Sequence, residues 1–318
     1  MRLAVVLFAS ALALVPLDVE AQLYGSAATG GGYEVLYIDT RTGNTTTVAV
    51  APTRESASAS AADVAGGRYF LFYSSSFSTI DVRTGAVTQV PLSGGTHEFL
   101  TPTVYDPVTG RILGTRNAAG GSEIIAFDPH TGQVTALFRV PGRSPFDITL
   151  DAAGRRLFLI DAGDTLRIVQ LDTGAVTTVT LNRVTAGTLY LEYDAGRNRL
   201  LTLSLAPFNL VAIDPVTGAV TTIAPVDVSQ LVTGGFAFSP VSREVAFVAV
   251  VRRTNVPTPT AHLVVINVDS GTVRLLPTSG SLLQFIDEPL AIPTLQDAAL
   301  LLLASFLGCV GLLALSRP

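Results

Sequence analysis

The chain has 318 residues, 48% of them hydrophobic and 14% charged, with a formal net charge of −5. Such hydrophobicity excludes a disordered chain, and an acidic balance without a basic run argues against nucleic acid as a partner. All 20 cationic side chains are arginine and the one cysteine is Cys309, so lysine nucleophiles, disulfides and a thiolate metal site in the soluble part are excluded.

In chain order, the first element has the form of a secretory signal over residues 1–21. Arg2 supplies the positive end, Leu3 to Leu17 is an apolar run broken only by Ser10 and Pro16, and Val19 and Ala21 stand three and one residues before a cut ahead of Gln22. The run is shorter than the roughly 20 residues a membrane span needs, so cleavage is expected.

Residues 22–288 are a repeat. An apolar run, a polar turn ending in glycine and a Val/Thr alternation recur six times, with glycines at Gly43, Gly85, Gly132, Gly174, Gly218 and Gly271. The spacings are 42, 47, 42, 44 and 53 residues. A β pattern with a period near 40–45 residues marks propeller blades. Asp39, Asp81, Asp128 and Asp214 stand four residues before their glycines as turn-formers. Asn267 can replace them, and Gln170 can do so only poorly.

A second hairpin precedes the later copies, beginning at Ala62, Thr103, Ile148, Leu191 and Phe236. Two hairpins make a four-stranded blade, inner strand first. Blade one lacks its inner strand, and Leu282–Glu288 is placed to supply it. The expected fold is all-β: a six-bladed β-propeller, seven blades being the alternative, with four antiparallel strands per blade and a ring closed by a C-terminal strand. Within it, 144–172 resembles an NHL repeat, and the series resembles YVTN-type and other exported bacterial propellers. That resemblance implies the fold and no particular chemistry.

The 53-residue spacing comes from an insertion, Val251 to His262, which includes Arg252, Arg253 and two prolines. It is read as a tolerated surface loop.

The tail, 289–318, contains an uncharged 18-residue run, Ala298–Leu315, long enough for one transmembrane helix, with Arg317 beyond it. Ile292-Pro293-Thr294-Leu295 precedes it. The order of this motif, a polar step, an apolar helix and a terminal arginine resembles the IPTL-CTERM sorting signal. The chain departs from that pattern at Ala298, where tryptophan is usual, and in having one terminal arginine rather than a cluster. The resemblance implies export, anchoring in the inner membrane with the propeller facing the periplasm, and recognition by an exosortase-like enzyme. Display at the cell surface or secretion would follow.

Ligands of propellers usually lie at the channel mouth, among loops that lead into the inner strands and loops between second and third strands. Glu98, Asp147, Tyr190, Glu192, Arg252 and Arg253 are the candidate binding residues there. Aligning inner strands puts Pro102, Asp147, Tyr190 and Gly235 at one position, only one of them ionisable. His97, His130 and His262 lack a nucleophile motif or zinc spacing, with His97 and His262 in loops. No catalytic residue, metal ligand or cofactor is assigned. The expected function is a binding or interaction module for a protein or glycan. The alternative is a metal-dependent hydrolase or lactonase, for which Glu98, Asp147, Glu192 and Asp287 would have to converge on a hard cation.

Overall fold

The computed structural model describes residues 21–93, 103–161, 165–182, 188–205, 207–228, 230–251, 260–278 and 281–287. They form six four-stranded antiparallel sheets, which decides for six blades over seven. Blade 1 contains β1 (Ala21–Thr29), β2 (Gly32–Ile38) and β3 (Thr45–Pro52). Blade 2 contains β4 (Ala59–Asp63), β5 (Arg68–Phe72), β6 (Ser76–Asp81) and β7 (Val87–Pro91). Blade 3 runs from β8 (Thr103–Asp106) through β9 (Arg111–Ala118) and β10 (Gly121–Phe127) to β11 (Val134–Pro141). Blade 4 has β12 (Asp147–Asp151), β13 (Arg156–Ile160), β14 (Thr165–Gln170) and β15 (Val176–Thr180). Blade 5 has β16 (Thr188–Asp194), β17 (Arg199–Leu205), β18 (Phe208–Ile213) and β19 (Val220–Pro225). Blade 6 has β20 (Gln230–Ser239), β21 (Glu244–Val251), β22 (Thr260–Asn267) and β23 (Val273–Pro277).

The last strand, β24 (Ser281–Asp287), is the inner strand of blade 1, one residue earlier at each end than expected. It pairs antiparallel with β1, Ala21 opposite Asp287 and Leu23 opposite Phe285. A ring closed this way leaves no free edge between first and last blades.

The second strand of a blade is covered on both faces, which is why it reads as a continuous apolar run. Phe70 and Phe72 of β5 meet Ile112, Ile125 and Phe127 of blade 3, and Phe158 and Ile160 of β13 meet Leu200 and Ile213 of blade 5.

The turns between third and fourth strands are built as their residue types require. The Asp81 carboxylate accepts the N–H groups of Arg83 and Thr84 at 2.9 Å each, and the Asp128 carboxylate accepts those of His130 and Thr131 at 2.8 and 3.0 Å. Asn267 does the same for Asp269 and Ser270. Gln170 keeps the backbone bonds of the turn while its amide instead donates to the Gly154 carbonyl at 3.1 Å. Gly132 has φ +70, and a Cβ there would run into the Pro91 carbonyl oxygen on the preceding blade's outer strand. The turn therefore needs glycine for conformation and for space.

His262 lies within β22, opposite Ala249 and Pro277, rather than in a loop, because the strand resumes at Thr260. Arg252, Arg253, His97, Glu98, Ile292–Leu295 and 298–315 lie outside the described residues. Among the described residues, no helix is long and apolar enough to cross a membrane.

Candidate functional site

Inner strands run from the channel mouth toward the face that carries the Asp-x-x-Thr-Gly turns. Asp147 opens β12 at the mouth. Its Oδ1 accepts the Ile148 N–H at 2.9 Å, and its Oδ2 reaches into blade 5 to accept the Leu191 N–H at 2.7 Å.

That N–H is available because β16 bulges. Leu189 pairs with Leu203, and the next pair is Glu192 with Leu201, so one residue on β16 has no opposite number. Tyr190 takes φ +67 at the bulge, a costly conformation for an aromatic side chain that surrounding contacts must hold in place. Thr202 donates to the Tyr190 carbonyl at 2.6 Å, and the Tyr190 ring stacks on Phe236 at 5.9 Å and 6°. A bulge re-aims the side chains that follow it.

Glu192 is the residue so re-aimed. It is half-buried and accepts no hydrogen bond from the described residues. Burial, together with the neighbouring Asp147 charge, pushes its pKa well above the usual carboxylate range. Burial likewise raises Asp147 to about 7, against the opposing pull of its two N–H donors. Both carboxyls are thus held toward the protonated form. The pair can accept hydrogen bonds, donate one, or attract a cation.

The strand leading to Asp147 is held from below. Arg167, buried, donates to the Pro141 carbonyl at 2.8 Å, and the Phe146 N–H bonds the Ile160 carbonyl at 2.8 Å. The Phe146 ring beside Asp147 is 52% exposed. On the blade 1–3 side the inner strands meet one another through uncharged groups: Gln284 donates to the Ser60 carbonyl and hydroxyl at 3.3 Å each, and Thr103 donates to the same carbonyl at 3.0 Å.

Of the expected mouth residues, Asp147, Tyr190 and Glu192 do come together. Aligning the inner strands without the bulge had set Glu192 two positions from Asp147. Asp287 does not join them, because it ends β24 and so stands at the opposite end of an inner strand. Among the described residues no three His, Cys, Asp or Glu side chains gather as metal ligands would. Phe146 and Phe236 were not singled out from sequence. An aromatic residue directly before Asp147 was the one available signal.

No family model matches the chain, and no curated protein matches it. Solved structures do. TolB from Acinetobacter baumannii is 17% identical over 85% of this chain and 67% of that one, with a TM-score of 0.63. A chain of the nidogen/laminin complex is 13% identical over 85% and 99%, with a TM-score of 0.60. The periplasmic gluconolactonase of Pseudomonas aeruginosa is 14% identical over 85% and 99%, with a TM-score of 0.52. The protein is accordingly a six-bladed β-propeller, TolB-like and lactonase-like in architecture. Identities this low carry the fold and nothing of the site.

Proposed function

We propose that the protein is an exported propeller whose channel mouth, at the blade 4–5 edge, binds a protein segment or glycan offering hydrogen-bond donors or positive charge. The observation that supports this is Glu192, which the bulge turns toward Asp147 and which has no hydrogen-bond partner among the described residues. Beside them, exposed Phe146 directly precedes Asp147, and the Tyr190 ring, packed on buried Phe236 of β20, stands at the bulge. Aromatic faces beside carboxyl groups suit sugar rings and cationic side chains alike. The test is binding of the purified chain to an array of neutral and amino glycans and to short arginine- and lysine-rich peptides. Glu192→Gln and Asp147→Asn should each weaken the hits at least about tenfold. Binding unchanged in both variants would remove the site from the reading.

One observation favours hydrolysis as a second reading: a carboxyl group raised to about 7 beside another carboxyl is suited to general acid–base work. Lactone or ester turnover that depends on an added divalent cation and is lost in Glu192→Gln would favour it over binding alone.

Export, anchoring by 298–315 and handing of Ile292–Leu295 to an exosortase-like enzyme complete the proposal. A charge in mid-run, Gly308→Arg, costs about 2.5–3.5 kcal/mol of insertion and should release the protein from the membrane fraction. Equal soluble periplasmic amounts of parent and variant would show that the tail is no anchor.

A further inference from the structure

The mouth side of blade 3 carries an excess of positive charge in a chain whose net charge is −5. Arg116 of β9, Glu123 of β10 and Arg139 of β11 stand opposite one another in one row across three strands, near the β9–β10 turn that faces the mouth. Residues so paired share a face of the sheet. The Arg116 Nε donates to Glu123 at 2.6 Å. Among the described residues no carboxylate is paired with Arg139, or with Arg143 four residues on, and both arginines are exposed. Three guanidinium groups thus stand with one carboxylate. From Pro141 to Asp147 the chain arches from blade 3 to blade 4, pinned on both sides. Arg167 of β14, 3% exposed, donates to the Pro141 and Arg143 carbonyls on either side of Gly142 and faces Asp161 at 3.6 Å. Gly142 has φ +108, and a Cβ there would stand 3.2 Å from the Arg167 guanidinium. The Ser144 hydroxyl donates to the Asn117 side-chain oxygen on blade 3. Pro145 is buried, whereas Arg143 is exposed and the Phe146 ring is half in water.

We infer that this arch and the arginine row beside it form a preformed docking surface for a carboxylate-bearing glycan. This rests on the glycan form of the proposed function and adds a charge to that ligand. A guanidinium offers a carboxylate two parallel N–H donors and is less strongly hydrated than an ammonium. The exposed face of Phe146 leaves water by covering the C–H face of a sugar ring. Because the arch is already pinned, binding costs it little further ordering. A peptide docks through backbone groups on a free edge, or through a groove. Here Pro141 and Pro145 have no N–H, and the Pro141 and Arg143 carbonyls are held by Arg167. Recognition therefore falls to side chains, guanidinium against carboxylate and ring against ring, which suits a glycan better than a strand. The Asp147 and Glu192 carboxyls beyond the arch, held toward the protonated form, do not repel an anion as an ionised pair would.

The test titrates the purified full chain by calorimetry with three probes: an oligogalacturonate, the same oligosaccharide with its carboxyls reduced to alcohols, and an oligoglutamate peptide of matched charge. The oligogalacturonate should bind, and its reduced form should bind at least about tenfold more weakly. Arg139→Gln with Arg143→Gln should weaken the acid form by about as much, and rising salt should weaken the parent more than this double variant. Both arginines are exposed, so melting temperatures should match; if the double variant melts lower, Arg143→Gln alone decides. Equal affinity for the reduced glycan, equal affinity in parent and arginine variant, or no binding of oligogalacturonate overturns the inference. Oligoglutamate binding as tightly, with the same dependence on the two arginines, overturns it in favour of an acidic protein. Glu192→Gln tells this surface from the mouth. Binding that survives the arginine changes but is lost in Glu192→Gln overturns the docking surface and keeps the mouth. Binding lost with the arginines but intact in Glu192→Gln keeps the surface and removes the mouth.

Discussion

Arg155 donates to both carboxylate oxygens of Asp106, at 2.8 and 3.0 Å, across the boundary between blades 4 and 3. Arg243 makes the same contact with Asp194, at 2.7 and 2.6 Å, across the boundary between blades 6 and 5. Both members of the second pair lie 88 residues after those of the first. The other boundaries alternate with these: Arg68 reaches the Tyr105 hydroxyl and Arg156 the Tyr193 hydroxyl, each at 3.2 Å and again 88 residues apart. The contacts therefore repeat every two blades. In the third unit Ser239 and Glu244 stand where the earlier copies have aspartate and arginine, and Glu244 instead accepts a bond from Arg274 at 2.8 Å.

Asp194 is wholly buried between Arg199 and Arg243, and although burial opposes it, the two guanidinium groups hold its pKa below the usual value. Removing it leaves two cations facing an empty, buried site. Asp194→Ala should destabilise the fold by about 3–5 kcal/mol. Denaturant unfolding at pH 7 measures this, and a loss under about 1 kcal/mol would mean the latch is dispensable.

The channel carboxyls predict the opposite pH trend from Asp194. Asp147 and Glu192 have raised pKa values in the fold, so the folded state keeps protons that the unfolded chain gives up. Their contribution is fully present below the unfolded value near 4 and is lost as pH rises through the folded values, about 7 for Asp147. Asp106 and Asp194, with lowered values, add stability that is lost as pH falls into the acid range. Melting temperature against pH should therefore peak on the acid side of neutrality. Glu192→Gln should flatten the decline above the peak; an unchanged profile would show that Glu192 is ionised in the fold.

The ring, its blade count and its closing strand were legible because turn chemistry repeats at a fixed spacing and a missing strand leaves an obvious vacancy. The site was legible only in part. Asp147 and Tyr190 lie on the aligned position and Glu192 was a candidate beside them, but a bulge adds a residue without leaving a sequence mark, so the means by which Glu192 comes to Asp147 was not visible. The two-blade period was likewise hidden, because the turn glycines repeat in every blade while the arginine–aspartate latches repeat in every second one.

Gly132→Ala should be costly, because the residue is buried in its turn between exposed Thr131 and Gln133. The left-handed conformation alone costs roughly 1–2 kcal/mol for alanine. The added methyl must also displace the Pro91 backbone in blade 2. Gly120, with φ +79 and open space around it, is the control: alanine there should show the conformational cost alone. Equal losses at the two sites would mean that the turn does not nest against its neighbour.

The closing strand should matter to the whole ring rather than to blade 1 alone. Leu283 and Phe285 of β24 are buried with Leu23 and Leu36 of blade 1 and Ala246 and Leu263 of blade 6, so one strand fills the joint between the first and last blades. Leu283→Ala should cost about 2–5 kcal/mol as a buried cavity. Leu275→Ala, on the outer strand β23 with its side chain partly in water, should cost far less. A chain ending at Pro277 should go further: it uncovers β1 along its whole length, leaves an unpaired edge, and should melt lower and aggregate relative to a chain ending at Glu288. If the two chains melt together, β24 is an ornament on an already closed ring and the fold is held by the other five joints alone.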